Sequence, residues 1–155
     1  MANICSGFVH LQGERVQEAL DFINSVWDKK EEGCGVQFIP NEEERYLFDV
    51  EIINEDGYIS FWTKWAPEVG QIVSLAKMFG LEFTYEFDEP GCELFGEYHY
   101  SSDNKLSLVE LGSDDFDKFE YDEEKDTYIF RGEEWDSDNE IKCLLLEEKK
   151  IDNDN

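Results

Sequence analysis

The sequence predicts an α+β protein in which an antiparallel sheet carries two helices on one face. Two stretches repeat apolar residues with the period of a helix, their neighbours alternate with the period of a strand, and the elements follow as β-α-β-β-α-β. At 155 residues the chain has room for a core that takes about two-thirds of its unfolded surface out of water. Apolar residues at 41% and aromatics at 15% suffice to pack it, so the charge described below sits on a folded body.

Residues 4–11 form the first strand, closed by the Gln12-Gly13 turn. From residue 14 to 30 apolar side chains recur at Val16, Ala19, Leu20, Ile23, Val26 and Trp27, the stripe of a helix lying on a sheet, and Gly33 and Gly35 close it. After Pro40 the polar run Asn41-Glu42-Glu43-Glu44 leads into a β-rich segment over residues 45–53. Asn54-Glu55-Asp56-Gly57 is a hairpin signal, because Asp-Gly supplies the positive φ of a tight turn, and residues 58–63 return as a strand. A second helix starts within residues 64–68, with Pro67 in its first turn, where a missing N–H costs nothing. It carries Val69, Ile72, Val73, Leu75, Ala76 and Phe79 and ends at Gly80. Residues 81–87 alternate cleanly as a strand, which Asp88-Glu89-Pro90-Gly91 breaks. Residues 93–100 and 106–111 add a hairpin turned at residues 101–104. The order is that of the split-βαβ, ferredoxin-like arrangement plus extra strands, over residues 1–112.

Beyond Gly112 the composition shifts. Asp114, Asp115, Asp117, Glu120, Asp122, Glu123, Glu124 and Asp126 are opposed only by Lys118 and Lys125, and Phe116, Phe119 and Tyr121 punctuate the run. Residues 127–131 and 141–146 read as short ordered pieces, and 147–155 as a charged end that frays. Residues 113–155 are therefore expected as an acidic C-terminal extension packed on, or continuing, the same domain.

Thirteen bases stand against 39 acids, a formal charge of −26. Such a surface repels nucleic acid and anionic lipid and attracts basic protein surfaces. Adaptation to high salt would give the same sign, but the lysines and large aromatics that persist here argue against it. Cys5, Cys34, Cys92 and Cys143 are widely spaced, with no Cys-x-x-Cys pair and no histidine at ligand spacing, so no zinc site and no cofactor is expected. No signal-peptide pattern opens the chain and no apolar stretch approaches the roughly 20 residues of a membrane span, so the expectation is a cytoplasmic protein with free thiols.

With the strands placed, one pattern becomes specific. The strand ending in Thr63-Lys64-Trp65-Ala66-Pro67, the acidic turn Glu89-Pro90-Gly91 and the Phe95-Gly96 strand resemble the YubB-type, or Api92-like, ferredoxin-like domain family of plasmids and phages. Asn3-Ile4-Cys5-Ser6 and Leu11-Gln12-Gly13 resemble that family's first strand and turn, so the likeness covers residues 1–104. It implies the ferredoxin-like fold and a mobile-element setting, and it implies no catalytic residues. The acidic portion beyond it departs from the family pattern.

Several constellations have a structural explanation. Tyr58, Trp62 and Trp65 could form an aromatic platform, but a Thr-x-Trp-x-Pro stretch is expected to be structural, with Thr63 or its neighbour capping the helix and Trp65 packing over its first turn. His99 lies between Tyr98 and Tyr100, yet on an alternating strand it points away from both and has no nucleophile nearby. Asp136-Ser137-Asp138-Asn139-Glu140 lacks the glycine and distal glutamate of an EF-hand. No phosphate loop or nucleophile elbow occurs.

The expectation is thus a non-catalytic protein that inhibits a nucleic-acid-binding host defence complex, such as a CRISPR effector, by occupying its basic surface. Carboxylates on a rigid surface can stand in for DNA phosphates there. The acids of the 114–126 run would make the contact, with Phe116, Phe119 and Tyr121 as apolar anchors. The alternative is an immunity or assembly module that binds one basic protein without mimicking nucleic acid; an enzyme ranks third. Oligomeric state is open, a homodimer included.

Overall fold

A computed structural model describes residues 3–40 and 45–154; the polar run Asn41 to Glu44 lies outside the described residues. Strand β1 (Ile4–Gln12) alternates along its length because Cys5, Gly7, Val9 and Leu11 are buried while Ile4, Ser6, Phe8 and Gln12 face the other way. The buried set meets helix α1 (Val16–Asp28) through Ala19, Leu20 and Ile23, and helix α2 (Val69–Phe79) through Ile72, Leu75 and Ala76, in one core. Gly80, at φ 65°, ends α2 in the left-handed conformation that glycine adopts without cost.

Strands β2 (Phe48–Ile52), β3 (Tyr58–Lys64), β4 (Glu82–Glu89), β5 (Leu94–Tyr100) and β6 (Leu106–Glu110) complete a six-stranded sheet ordered β2-β3-β1-β4-β5-β6. Every neighbouring pair is antiparallel. Its first four members are the split-βαβ unit, and the β5–β6 hairpin widens the sheet past β4. The expected strands and helices of residues 1–112 are all present. Pro67 precedes α2 by two residues instead of lying in its first turn, and β4 runs on through Glu89.

The acidic extension is folded throughout its described length. A short helix α3 (Ser113–Phe116) leads to a separate three-stranded sheet of β7 (Phe119–Asp122), β8 (Thr127–Phe130) and β9 (Glu133–Trp135), and helix α4 (Asp138–Asp154) follows. A second core joins Phe95 of β5 to Leu111, Phe130, Ile141, Leu145 and Leu146, with Phe116, Phe119, Tyr128 and Trp135 packed against it.

The expectation of a short piece at 141–146 and a frayed charged end from 147 is corrected here. Both belong to one 17-residue helix. Ile141 and Leu145, one turn apart, are buried in the second core, and the charges that follow pair with other elements of the fold: Arg131 donates to both Glu148 oxygens at 2.8 Å, Lys149 reaches Asp115 at 2.8 Å and Lys150 reaches Glu97 at 2.7 Å.

Candidate protein-binding surfaces

The small sheet sorts the predicted contact residues into two groups. Asp115 is buried: its Oδ2 accepts from the Gly112 N–H at 2.8 Å and from Lys149 at 2.8 Å, and Oδ1 accepts from Lys118 at 3.3 Å. Burial would raise its pKa, but the Lys149 ammonium, the Gly112 N–H and Lys118 outweigh it and hold the carboxyl at about 2. Phe116 and Phe119 pack against the second core. These three residues, expected in a partner contact, are instead part of the fold, because the helix that covers them is supplied by residues far along the chain.

The remaining acids stay outside. Asp114, Asp117, Glu120, Glu123 and Glu124 are exposed, and none makes an ion pair among the described residues. Asp122 shapes the β7–β8 turn by accepting from the Glu124 N–H at 3.0 Å. Asp126, at φ 53°, accepts from the Tyr121 hydroxyl at 2.5 Å, and Tyr121 remains half exposed. The bases that share this part of the chain are few and are paired. Residues 105–155 contain seven Lys and Arg against eighteen acids. Each of the seven is in an ion pair within the fold: Lys105 with Asp103, Lys118 and Lys149 with Asp115, Lys125 with Glu134, Arg131 with Glu148, Lys142 with Asp88 and Lys150 with Glu97.

A second surface lies on the face of the large sheet opposite α1 and α2. Helix α4 covers its β4-β5-β6 side, with Lys142 over Asp88 and Lys150 over Glu97. The β2-β3-β1 side is open, and the register lays its side chains in rows. One row crosses the strands as Tyr58, His10, Thr84 and His99, the next as Glu51, Ser60, Phe8, Glu86 and Glu97, and the third as Phe48, Trp62, Ser6, Asp88 and Phe95. Aromatic pairs stack on it: His10 on Tyr58 with centroids 3.9 Å apart and planes 4° from parallel, and Phe48 on Trp62 at 4.3 Å. Phe8 lies 5.6 Å from Tyr58. A bulge in β2 places Asp49 at φ 50°, where its carboxylate accepts from Trp62 Nε1 at 2.6 Å.

Along the boundary between α4 and this open face runs a cleft of about 400 Å³, lined by Phe8, Ser60, Glu86, Glu97, Cys143 and Glu147 among others. A smaller hollow of about 190 Å³ over His10, Tyr58 and Thr84 continues it through Phe8 and Glu86. Glu86 sits directly across from Glu97 in the β4–β5 ladder. Lys150 is bound to Glu97 and Glu147, and Glu86 makes no ion pair among the described residues. Burial first, and the Glu97 charge second, raise its pKa above the usual carboxylate value.

Of the proposed aromatic platform, Tyr58 and Trp62 do share the open face, with Phe8 and His10 that the sequence did not single out; the alternation of β1 was the signal that could have found them. Trp65 overturns its expectation. It is 53% exposed at φ 71° and does not pack over α2. Thr63 caps no helix either: its hydroxyl is buried and donates to the Ala66 carbonyl at 2.7 Å, while Glu68, at the N-cap of α2, makes no side-chain cap. In the acidic turn, Glu89 is buried, and its Oε1 accepts from the Gly91 N–H at 3.1 Å to open a single 3₁₀ turn. His99 is exposed, while Tyr100 is buried and Tyr98 packs against the main core. All four cysteines are free thiols, and burial pushes that of Cys5 up to about 11. Among the described residues no group of three or more His, Cys, Asp or Glu is arranged to hold a metal ion, and no helix is long and apolar enough to cross a membrane.

A sheet built on the order β2-β3-β1-β4, with α1 and α2 on one face, defines a protein of the ferredoxin-like α+β class. The family model for the ferredoxin-like domain in Api92-like proteins matches residues 42–131, and the chain belongs to that family. The match leaves β1 and α1 outside and continues past the expected limit at residue 104, through the β5–β6 hairpin to β8. No curated protein and no solved structure matches the chain.

Proposed function

We propose that the protein is a non-catalytic binding module that occupies the basic surface of a nucleic-acid-handling host complex and inhibits it. The observation that carries this is the one-sided use of charge. From Lys105 onward every base is held in an ion pair of the fold, while Asp114, Asp117, Glu120, Glu123 and Glu124 face outward. A rigid acidic surface in a chain of net charge −26 steers toward basic grooves and away from nucleic acid itself. The resemblance to proteins of plasmids and phages makes a host defence complex the natural target.

The test is phage plating on a panel of bacterial strains, each carrying one CRISPR or restriction system, with and without the protein. Restored plating on one strain supports the function, provided it is lost in the combined variant Asp114→Lys, Asp117→Lys, Glu123→Lys, Glu124→Lys with unchanged circular dichroism. Plating that changes in no strain overturns it. A second function, binding one basic protein without nucleic-acid mimicry, is favoured by the open aromatic face, which a phosphate mimic does not need. Competition separates the two: DNA displaces a mimic from the complex and leaves the other bound.

A further inference from the structure

We propose that the part of the sheet face opposite α1 and α2 that α4 leaves open is the docking surface for an arginine-bearing segment of the basic partner. The inference rests on the function proposed above and names the site and the side chain it receives.

The face offers two things to one ligand group. The first is aromatic area: the stacked His10–Tyr58 pair, with Phe8 beside it at 37% exposure and the Phe48–Trp62 stack two rows away. The second is carboxylate placed against that area. Glu86 neighbours Phe8 directly in the β1–β4 ladder, and Glu147 of α4 lines the same cleft. A guanidinium is flat and weakly hydrated, so it can lie on an aromatic ring and still donate a pair of hydrogen bonds to a carboxylate at its edge. An ammonium has no flat face to lay on a ring and holds its water more strongly.

The like-charge pair Glu86–Glu97 shows why a cation is wanted there. Carboxylates directly opposite each other across a ladder repel. Lys150 relieves Glu97 and is shared with Glu147, which leaves Glu86 as the member that an incoming cation would satisfy.

Charge excludes the other occupants of an aromatic sheet face. Single-stranded nucleic acid could stack its bases on these rings, but its phosphates would run past Glu51, Glu86 and Glu147 on a molecule of net charge −26. Anionic lipid meets the same repulsion. A second copy would bring the same carboxylates face to face in a symmetric contact.

The probes are nona-arginine and nona-lysine peptides, of equal charge, titrated calorimetrically into the full chain at one fixed salt concentration. The arginine peptide is expected to bind roughly five-fold or more tightly than the lysine peptide. The double variant Phe8→Ser, Tyr58→Ser should erase that preference and keep the lysine affinity. Because that variant removes apolar area, Glu86→Gln provides a second route: it should weaken the arginine peptide several-fold more than Glu123→Gln does. Equal binding of the two peptides overturns the site. If that binding disappears in the Asp114, Asp117, Glu123, Glu124 charge-reversal variant, the basic-partner function still stands. Binding of neither peptide overturns both. Binding of an oligouridine probe that the Phe8, Tyr58 variant abolishes would assign the face to nucleic acid and overturn the inference.

Discussion

Lys142 places its ammonium 3.1 Å from Asp88, with its own side chain only 4% exposed and its charge 5.0 Å above the centre of the Phe95 ring. This contact fastens the last helix to the fourth strand of the ferredoxin-like sheet, 54 residues earlier in the chain. Asp138, one turn back on α4, is the second carboxylate at 3.8 Å. Lys142→Glu would set three carboxylates together against an aromatic ring and should cost about 3 kcal/mol or more. Lys142→Met keeps the packing on Phe95 and lets the partly exposed Asp88 rehydrate, so about 1 kcal/mol or less is expected. Urea unfolding of both variants checks the pair. Equal losses would show that the stem of Lys142, and not its charge, holds α4.

Stability should rise as pH falls from neutrality through the raised pKa of Glu86 and then drop below about 4. Two carboxyls set the two arms. Glu86 has a raised pKa in the folded state, from burial and the Glu97 charge, so its ionised form opposes folding and the penalty lifts as pH falls through that value. Asp115 has a depressed pKa of about 2 against 3.8 when free, so its contribution is complete above about 4 and is lost as pH falls toward 2. Thermal melts across this range should show the maximum. In Asp115→Asn the acid arm should flatten and stability at pH 7 should fall by about 2 kcal/mol.

The contrast between Asp114 and Asp115 shows where the sequence stopped being legible. Both are acids in one run; Asp115 stands three residues after Gly112 and accepts its N–H, but its burial also takes Lys149, 34 residues later, folded back onto it. The strands and helices of residues 4–111 were readable because the alternation of β1 and the apolar stripe of α1 repeat within one element. Helix α4 was broken in two because Glu147-Glu148-Lys149-Lys150 resembles a solvated end, and the partners that draw it inward, Arg131, Asp115 and Glu97, lie on three other elements. Tyr58 and Trp62 were visible as aromatics of one strand. Their assembly with Phe8 and His10 into an open face depended on which side of the sheet α4 left bare.

Gly96, in the family's Phe-Gly strand, has a packing reason. A Cβ there would lie 2.7 Å from the Val109 carbonyl oxygen and 2.8 Å from both Glu110 Cβ and the Phe87 ring. Two of these contacts belong to the backbone and Cβ of β6, which cannot give without opening the β5–β6 ladder. Gly96→Ala should therefore cost about 3 kcal/mol. Gly70, in the first turn of α2, is the matched control, since a Cβ there meets nothing within 4 Å. Gly70→Ala should gain about 0.5–1 kcal/mol through helix propensity alone. Denaturation midpoints of the pair, moving in opposite directions, test the assignment.

Trp65 sits at the centre of a three-residue turn closed by the Ala66 N–H donating to the Lys64 carbonyl at 2.8 Å. Its own N–H donates to the Asn3 carbonyl at 2.8 Å, and the Thr63 hydroxyl holds Ala66 from beneath. The turn is thus built by backbone and by Thr63, while the indole stands 53% exposed at a φ of 71° that strains any residue with a Cβ. Trp65→Gly exchanges about 1 kcal/mol of relieved strain for a similar loss of chain entropy, so the folded state should keep its stability within about 1 kcal/mol. Thr63→Val leaves the Ala66 carbonyl without its buried donor and should cost about 1–2 kcal/mol. Chemical denaturation of the two variants separates the roles. A loss above about 2 kcal/mol in Trp65→Gly would mean that the ring packs on the fold, whereas the expected result leaves an exposed aromatic, held on a strained turn that the Thr63 side chain stabilises, available for contact with a partner.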